Sequence, residues 1–239
     1  MENLSVILLL ALGFALGLKH ATEADHLAAV STIVSRRKSL WSSTLVGGLW
    51  GVGHTISLLI CGVLVLFLDF QISERTEKIL ELFVGVMLIL LGMNVLRKLI
   101  RGARMHIHTH AHGGLSHAHV HVHEHQKADE PQTHHGLDFG PRALFVGMVH
   151  GLAGSAALML LVVPVIESKI VGMLYLLIFG LGSIGGMMLM SFLVGMPFHL
   201  TASRFNRFNN VLQNVAGLSS TGIGLWIVFV NGFGGGLFG

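Results

Sequence analysis

Long apolar stretches alternating with short polar ones divide the chain into six segments, over residues 3–35, 41–68, 79–101, 142–165, 170–198 and 209–231. Each is long enough for the roughly 20 helical residues that cross a hydrocarbon layer of about 30 Å. Ser39 to Leu68 carries no charged residue, and neither does Ala143 to Ile166. The third segment is interrupted by Glu81, and its tail of Arg97, Lys98, Arg101 and Arg104 marks a membrane surface. The pattern predicts an all-α polytopic membrane protein with six transmembrane helices.

The first segment breaks the pattern in its middle. Between Gly17 and His26 it holds Lys19, His20, Glu23, Asp25 and His26, in a stretch from Asn3 to Ser35 with no other charge. An interfacial segment with its charges in water is the plain alternative, but apolar residues continue for several turns on both sides. Ionisable groups at bilayer depth are costly and normally face a cavity or a bound ion. At 1.5 Å per residue the segment would be about 50 Å long as one helix, well beyond the membrane. On a straight helix His20 and His26 would also lie about 120° apart, so His20, Asp25 and His26 could not converge on one ion. A broken, bent or irregular helix is therefore expected near residues 17–26, tolerated at this depth only where it is buried or lines a cavity.

Composition agrees with a membrane protein. The 239 residues are 52% hydrophobic and 11% charged, with a mean hydropathy of +0.73, which argues against an ordinary soluble domain. A single cysteine, Cys61, leaves no intramolecular disulfide and no thiolate zinc cage. The net charge of +3 comes from basic residues at helix ends, which argues for no nucleic-acid partner. The start, Met-Glu-Asn-Leu, lacks the basic region of a cleaved signal peptide, so the first helix is expected to persist. One side of the membrane would carry Arg36, Arg37, Lys38, Arg97, Lys98, Arg101, Arg104, Lys127, Arg142, Arg204 and Arg207, the other only Arg75, Lys78 and Lys169. Retention of positive loops in the cytoplasm then places both termini outside, in a bacterial-type inner (cell) membrane.

Residues 104–140 differ in composition. They contain His106, His108, His110, His112, His117, His119, His121, His123, His125, His134 and His135, eleven of the sixteen histidines. Such a tract need not fold, and a mobile imidazole array would buffer Zn²⁺, Ni²⁺, Co²⁺ or Cu²⁺ on the cytoplasmic side. The bland alternative is a solvated linker that tolerates histidine.

The flanking regions, 1–103 and 141–239, repeat one another. Gly17 and His20 precede Gly147 and His150 by 130 residues; Gly48 and Gly53 precede Gly180 and Gly185 by 132, as Gly85 and Gly92 precede Gly217 and Gly224. Three helices per unit would make the second enter the membrane from the opposite side. Such inverted repeats are common in secondary transporters, with the substrate near the midplane.

Imidazoles with a carboxylate and no thiolate suit borderline divalent ions rather than Mg²⁺ or Ca²⁺. His20, Asp25 and His26 are the candidate ligands, and His54, in Gly-Val-Gly-His-Thr-Ile-Ser, joins them from the second helix. His150 and Ser155 occupy the repeat positions of His20 and Asp25 and are candidates for the pathway. Glu23 is expected to accept a hydrogen bond from His26, or to pair with Lys19 at i, i+4. Met187, Met188 and Met190 read as packing.

His20-Ala-Thr-Glu-Ala-Asp25-His26 has the form His-x4-Asp-His and resembles the signature of the nickel/cobalt transporter (NiCoT) family, with its shorter UreH-like six-helix branch. Gly-Val-Gly-His54-Thr is similar to the family's second motif, Leu-Gly-His-Ser/Thr. The resemblance implies movement of Ni²⁺ or Co²⁺, uptake favoured, with His20, Asp25 and His26 as the recognition set, His54 nearby and no catalytic cofactor. It also implies metallochaperones or urease and hydrogenase maturation factors as intracellular partners. Compared with longer members, the chain is expected to lack a helix before the signature, and it carries His-Gly-Leu-Ala-Gly-Ser where they have an acidic, threonine-rich motif.

Efflux, or Fe²⁺ or Zn²⁺ transport, remains an alternative. An intramembrane metalloenzyme would need a pattern such as His-Glu-x-x-His, which this spacing lacks. A membrane-anchored sensor or storage protein would have no need of the polar cluster in helix one. Without a Walker A motif, ATP coupling would require another subunit. Oligomeric state has no signature in the sequence.

Overall fold

The apolar segments fold as α1 (Glu2–His20), α2 (Ala24–Val34), α3 (Leu40–Leu68), α4 (Glu74–Gly102), α5 (Gly140–Val162), α6 (Lys169–Ala202) and α7 (Asn206–Gly232). The computed structural model describes residues 2–35, 37, 39–68, 72–102, 106–112, 115–121, 140–162, 166, 168–202, 206–234 and 237. Ser73 begins α4 by accepting the Thr76 backbone N–H on its hydroxyl at 3.2 Å, satisfying one of the donors a helix start leaves open.

What the sequence predicts as one helix over 3–35 is two, α1 and α2, meeting at 55°. The expected irregularity therefore lies at residues 21–23. Leu40–Leu68, Glu74–Arg97, Lys169–Thr201 and Arg207–Gly232 are each long and apolar enough to cross a membrane, and the bent pair counts as a fifth span if it crosses as one. Of the expected six spans, four are thus recovered among the described residues, and five if the bent pair crosses as one; α5, a helix of 23 residues, is not among them.

The surface confirms the solvent. Leu4, Ile7 and Leu8 on α1, Phe83 and Leu90 on α4, and Trp226 and Phe229 on α7 are exposed, while His20, His26, His54 and His150 are buried. A soluble protein would distribute these types the other way, and large apolar surface of this extent marks contact with lipid. The chain is a polytopic helical membrane protein.

Small residues bring the helices together, as expected where lipid tails give apolar side chains no reason to prefer one another. α1 lies along α6, α3 packs against both α5 and α6, α4 against α7, and α2 against α4, α6 and α7. A Cβ on Gly17 would collide with the Phe179 carbonyl on α6, and one on Gly147 with the Trp50 carbonyl on α3. α4 and α7 run antiparallel, with Gly92 against the Gly217 carbonyl and Gly224 against that of Gly85. Buried hydroxyls reinforce the contacts. Ser57 donates to the Met148 carbonyl at 2.8 Å, and Ser220 donates to that of Leu88 at 2.8 Å.

The His-rich tract differs from expectation. β1 (His106–His112) pairs antiparallel with β2 (Leu115–His121), placing His106 opposite His121, His108 opposite His119 and His110 opposite His117. The reason is periodic: alternation every second residue cannot form a helical stripe but matches a strand. Among the described residues this hairpin is the only β structure beside the helices. His123, His125, His134 and His135 lie outside the described residues.

Two glycines on one helix test the packing. At Gly224 a Cβ would lie 2.5 Å from the Gly85 carbonyl oxygen, whereas at Gly222 nothing lies within 4 Å. Gly224→Ala is expected to destabilise by about 1–3 kcal/mol through overpacking, and Gly222→Ala to be neutral or to stabilise by up to about 1 kcal/mol. Thermal unfolding in detergent measures both; equal midpoints would refute the close approach of α4 and α7.

Candidate metal centre

The site begins with the break. α1 ends because its last turn closes on itself: the Thr22 N–H and hydroxyl both donate to the Lys19 carbonyl, at 2.9 and 2.6 Å, and the Glu23 N–H donates to that of His20 at 3.1 Å. Glu23 is extended, with φ −65° and ψ 151°, and α2 starts anew at Ala24. Asp25 falls in the first turn of α2, where the helix dipole favours an anion. The turn rotates His26 back toward His20, leaving their ring centroids 4.4 Å apart.

His54, from the middle of α3, completes a cluster. Its ring centroid is 5.0 Å from that of His20 and 5.5 Å from that of His26, and all three side chains are buried. One ligand atom from each of His20, His26 and His54 lies within 4.8 Å of the others. Asp25, His26 and His150 form a second group by the same measure. His26 belongs to both. The four sequence-predicted ligands therefore split, His20 and His54 falling in one group and Asp25 in the other.

The hydrogen bonds distinguish the groups. Asp25 Oδ1 accepts the His26 backbone N–H at 2.8 Å and lies 3.1 Å from His26 Nδ1. Its Oδ2 lies 3.0 Å from His150 Nε2. By contrast, His26 Nε2 and both nitrogens of His54 have no hydrogen-bond partner. His20 Nδ1 is 3.1 Å from Glu23 Oε2 but out of line for a hydrogen bond, so both its nitrogens also stand open. Buried polar atoms without hydrogen-bond partners cost about 1–3 kcal/mol each, and the convergence of ligand atoms from His20, His26 and His54 is a geometry that could hold a metal ion.

Other predicted positions resolve differently. Glu23 approaches His20 rather than His26, because the break turns its exposed side chain toward the end of α1. Lys19 contributes its backbone carbonyl to the turn. Ser155 is on α5, but its side chain lies outside the described residues, as do those of the hairpin histidines. Trp50 and Phe179 were not predicted. Trp50 is buried, stacks on His26 at 5.5 Å with planes 21° apart and meets His150 edge-on at 5.5 Å; Phe179 on α6 lies 5.7 Å from His20. The available signal for Trp50 was its place four residues before His54, on the same helix face.

A family described as "Cytochrome C biogenesis protein transmembrane region" matches residues 69–226, more than half of the chain but not α1, α2 or His54. The urease accessory protein UreH of Bacillus sp. (strain TB-90) is 39% identical over 244 residues, covering 100% of this chain and 98% of the relative. The chloroplast protein FOR GROWTH AND FERTILITY 1 of Arabidopsis thaliana is 26% identical across 93% of this chain and 59% of its own length. A high-affinity nickel transport protein of Cupriavidus necator is 31% identical over 71 residues, 29% of this chain and 20% of that protein. No solved structure matches. These relatives are accessory, growth and transport proteins by name rather than enzymes. With the His-x4-Asp-His segment inside a match that spans both proteins nearly end to end, this chain belongs to the UreH-like branch of the nickel/cobalt transporter family.

Proposed function

We propose that the protein is a permease for a divalent transition-metal ion, Ni²⁺ or Co²⁺, held near the membrane midplane among His20, His26 and His54 with the Asp25 carboxylate beside them. One observation carries the reading: five ring nitrogens of these three histidines, buried in an apolar bundle, have no hydrogen-bond partner. Imidazole suits Ni²⁺ and Co²⁺, and the two relatives named for urease maturation and nickel transport favour nickel.

Movement would follow from two three-helix units, 1–103 and 141–239, crossing the membrane in opposite senses and rocking about the site, with α5 as the sixth span. Contacts support this. Gly17 meets α6 as Gly147 meets α3, and Gly92 meets Gly217 as Gly224 meets Gly85. Ser220 bonds to Leu88, 132 residues away, which is the repeat offset itself. A residue touches its own repeat counterpart only near a two-fold axis. The distribution of Lys and Arg favours an inner (cell) membrane orientation with both termini outside and residues 104–140 in the cytoplasm, where the histidines would buffer incoming ions and hand them to maturation factors. Uptake is the favoured direction for that reason.

In cells expressing Asp25→Asn or His26→Ala, Ni²⁺ accumulation is expected to fall to the level of cells without the protein; accumulation equal to wild type sinks the reading. Deleting 105–135 is expected to preserve transport while shifting its dependence on metal concentration, and complete loss from a correctly inserted protein would count against buffering. In liposomes under defined gradients, Ni²⁺ and Co²⁺ are expected to compete with one another more strongly than Zn²⁺ or Fe²⁺ does, and preferential inhibition by Zn²⁺ or Fe²⁺ would reassign the substrate.

A further inference from the structure

The geometry points to Asp25 and His150 as a positioning pair, not ion ligands: His150 donates to Asp25, and Asp25 fixes the tautomer and direction of His26. This inference rests on the permease reading and concerns how its site is held.

Asp25 has both oxygens engaged. Oδ2 faces His150 Nε2 at 3.0 Å and Oδ1 faces His26 Nδ1 at 3.1 Å. A carboxylate only accepts, so each ring nitrogen facing it must carry its hydrogen there. A neutral His26 with hydrogen on Nδ1 leaves its lone pair on Nε2, the atom that stands buried without a partner beside the open nitrogens of His20 and His54. This is how a carboxylate prepares a metal-binding imidazole, by setting its tautomer and ring orientation. The alternative, an ion among Asp25, His26 and His150, would have to displace the hydrogen bonds that Asp25 makes to His26 Nδ1 and His150 Nε2. The open nitrogens of His20, His26 and His54 have none to lose.

His150 makes the arrangement depend on the distant half of the chain. It is buried on α5, with its ring centroid 4.0 Å from that of His26, and the Trp50 ring stacks on His26 while meeting His150 edge-on. Asp25 itself is partly exposed, at 27% of its side-chain area. A carboxylate with that freedom needs a second anchor to hold one orientation, and His150 supplies it.

Glutamine separates a donor from a ligand. Its side-chain N–H reaches about as far as His Nε2 and can donate to Asp25, but it has no ring nitrogen to offer an ion. The test measures Ni²⁺ uptake by the full-length protein in liposomes, normalised to inserted protein, for wild type, His150→Gln and His150→Ala. The expected result is a KM about 10–100-fold higher for His150→Ala, a maximal rate within a few-fold of wild type, and recovery of the wild-type KM in His150→Gln. If His150→Gln is as impaired as His150→Ala, the nitrogen ligates the ion and the inference is overturned; an unchanged KM in His150→Ala overturns it too. His150→Leu, which keeps volume without a donor, replaces the alanine variant should that fail to insert. Failure of the wild type to move Ni²⁺ or Co²⁺ at all would bring down the permease reading first, and this pairing with it.

Discussion

Four buried imidazoles and a partly buried carboxylate inside an apolar bundle set the terms for everything around them. In hydrocarbon, a polar group without a partner is penalised more heavily than in a soluble core, so such a cluster persists only where the fold surrounds it. The surrounding here comes from four elements. The joint between α1 and α2 presents His20, Asp25 and His26; α3 brings His54 and Trp50; α5 brings His150; α6 closes the side with Phe179. Glycines such as Gly17 and Gly147 let backbones approach until these side chains meet across them. The packing of the bundle and the polarity of its centre are thus one problem with one solution.

Much of this was legible in the sequence, for local reasons. A 33-residue apolar segment with five ionisable groups in its middle is too long and too polar to be one straight span, and the structure breaks it at residues 21–23. His54 stood out because it lies near the middle of an uncharged helix among small residues that let another backbone approach, although a lone histidine there can also serve as an interhelical hydrogen bonder. His150 was reached only through the repeat offset, by its correspondence with His20; in the structure it partners Asp25 instead.

The illegible parts are those decided across the bundle. Nothing near Glu23 specifies that its side chain turns to His20 and leaves His26 to Asp25; the φ and ψ of one extended residue decide it. Trp50 reads as an ordinary apolar residue until α5 and α2 are placed against it. The hairpin was missed for a different reason. A tract without an apolar face gives no burial signal, yet its period of two was visible and fits the paired register of His106 with His121.

The joint between α1 and α2 has an electrical side as well. Each helix carries partial charge at its ends, negative at the carboxyl end and positive at the amino end. Breaking one apolar segment into two helices places both kinds of end within a few residues of each other, where a continuous helix would have neither. Asp25 occupies the positive end, in the first turn of α2, while His20 sits at the negative end, in the last turn of α1. A carboxylate and a nearby cation would each find a fixed backbone field of opposite sign, supplied without any further charged residue.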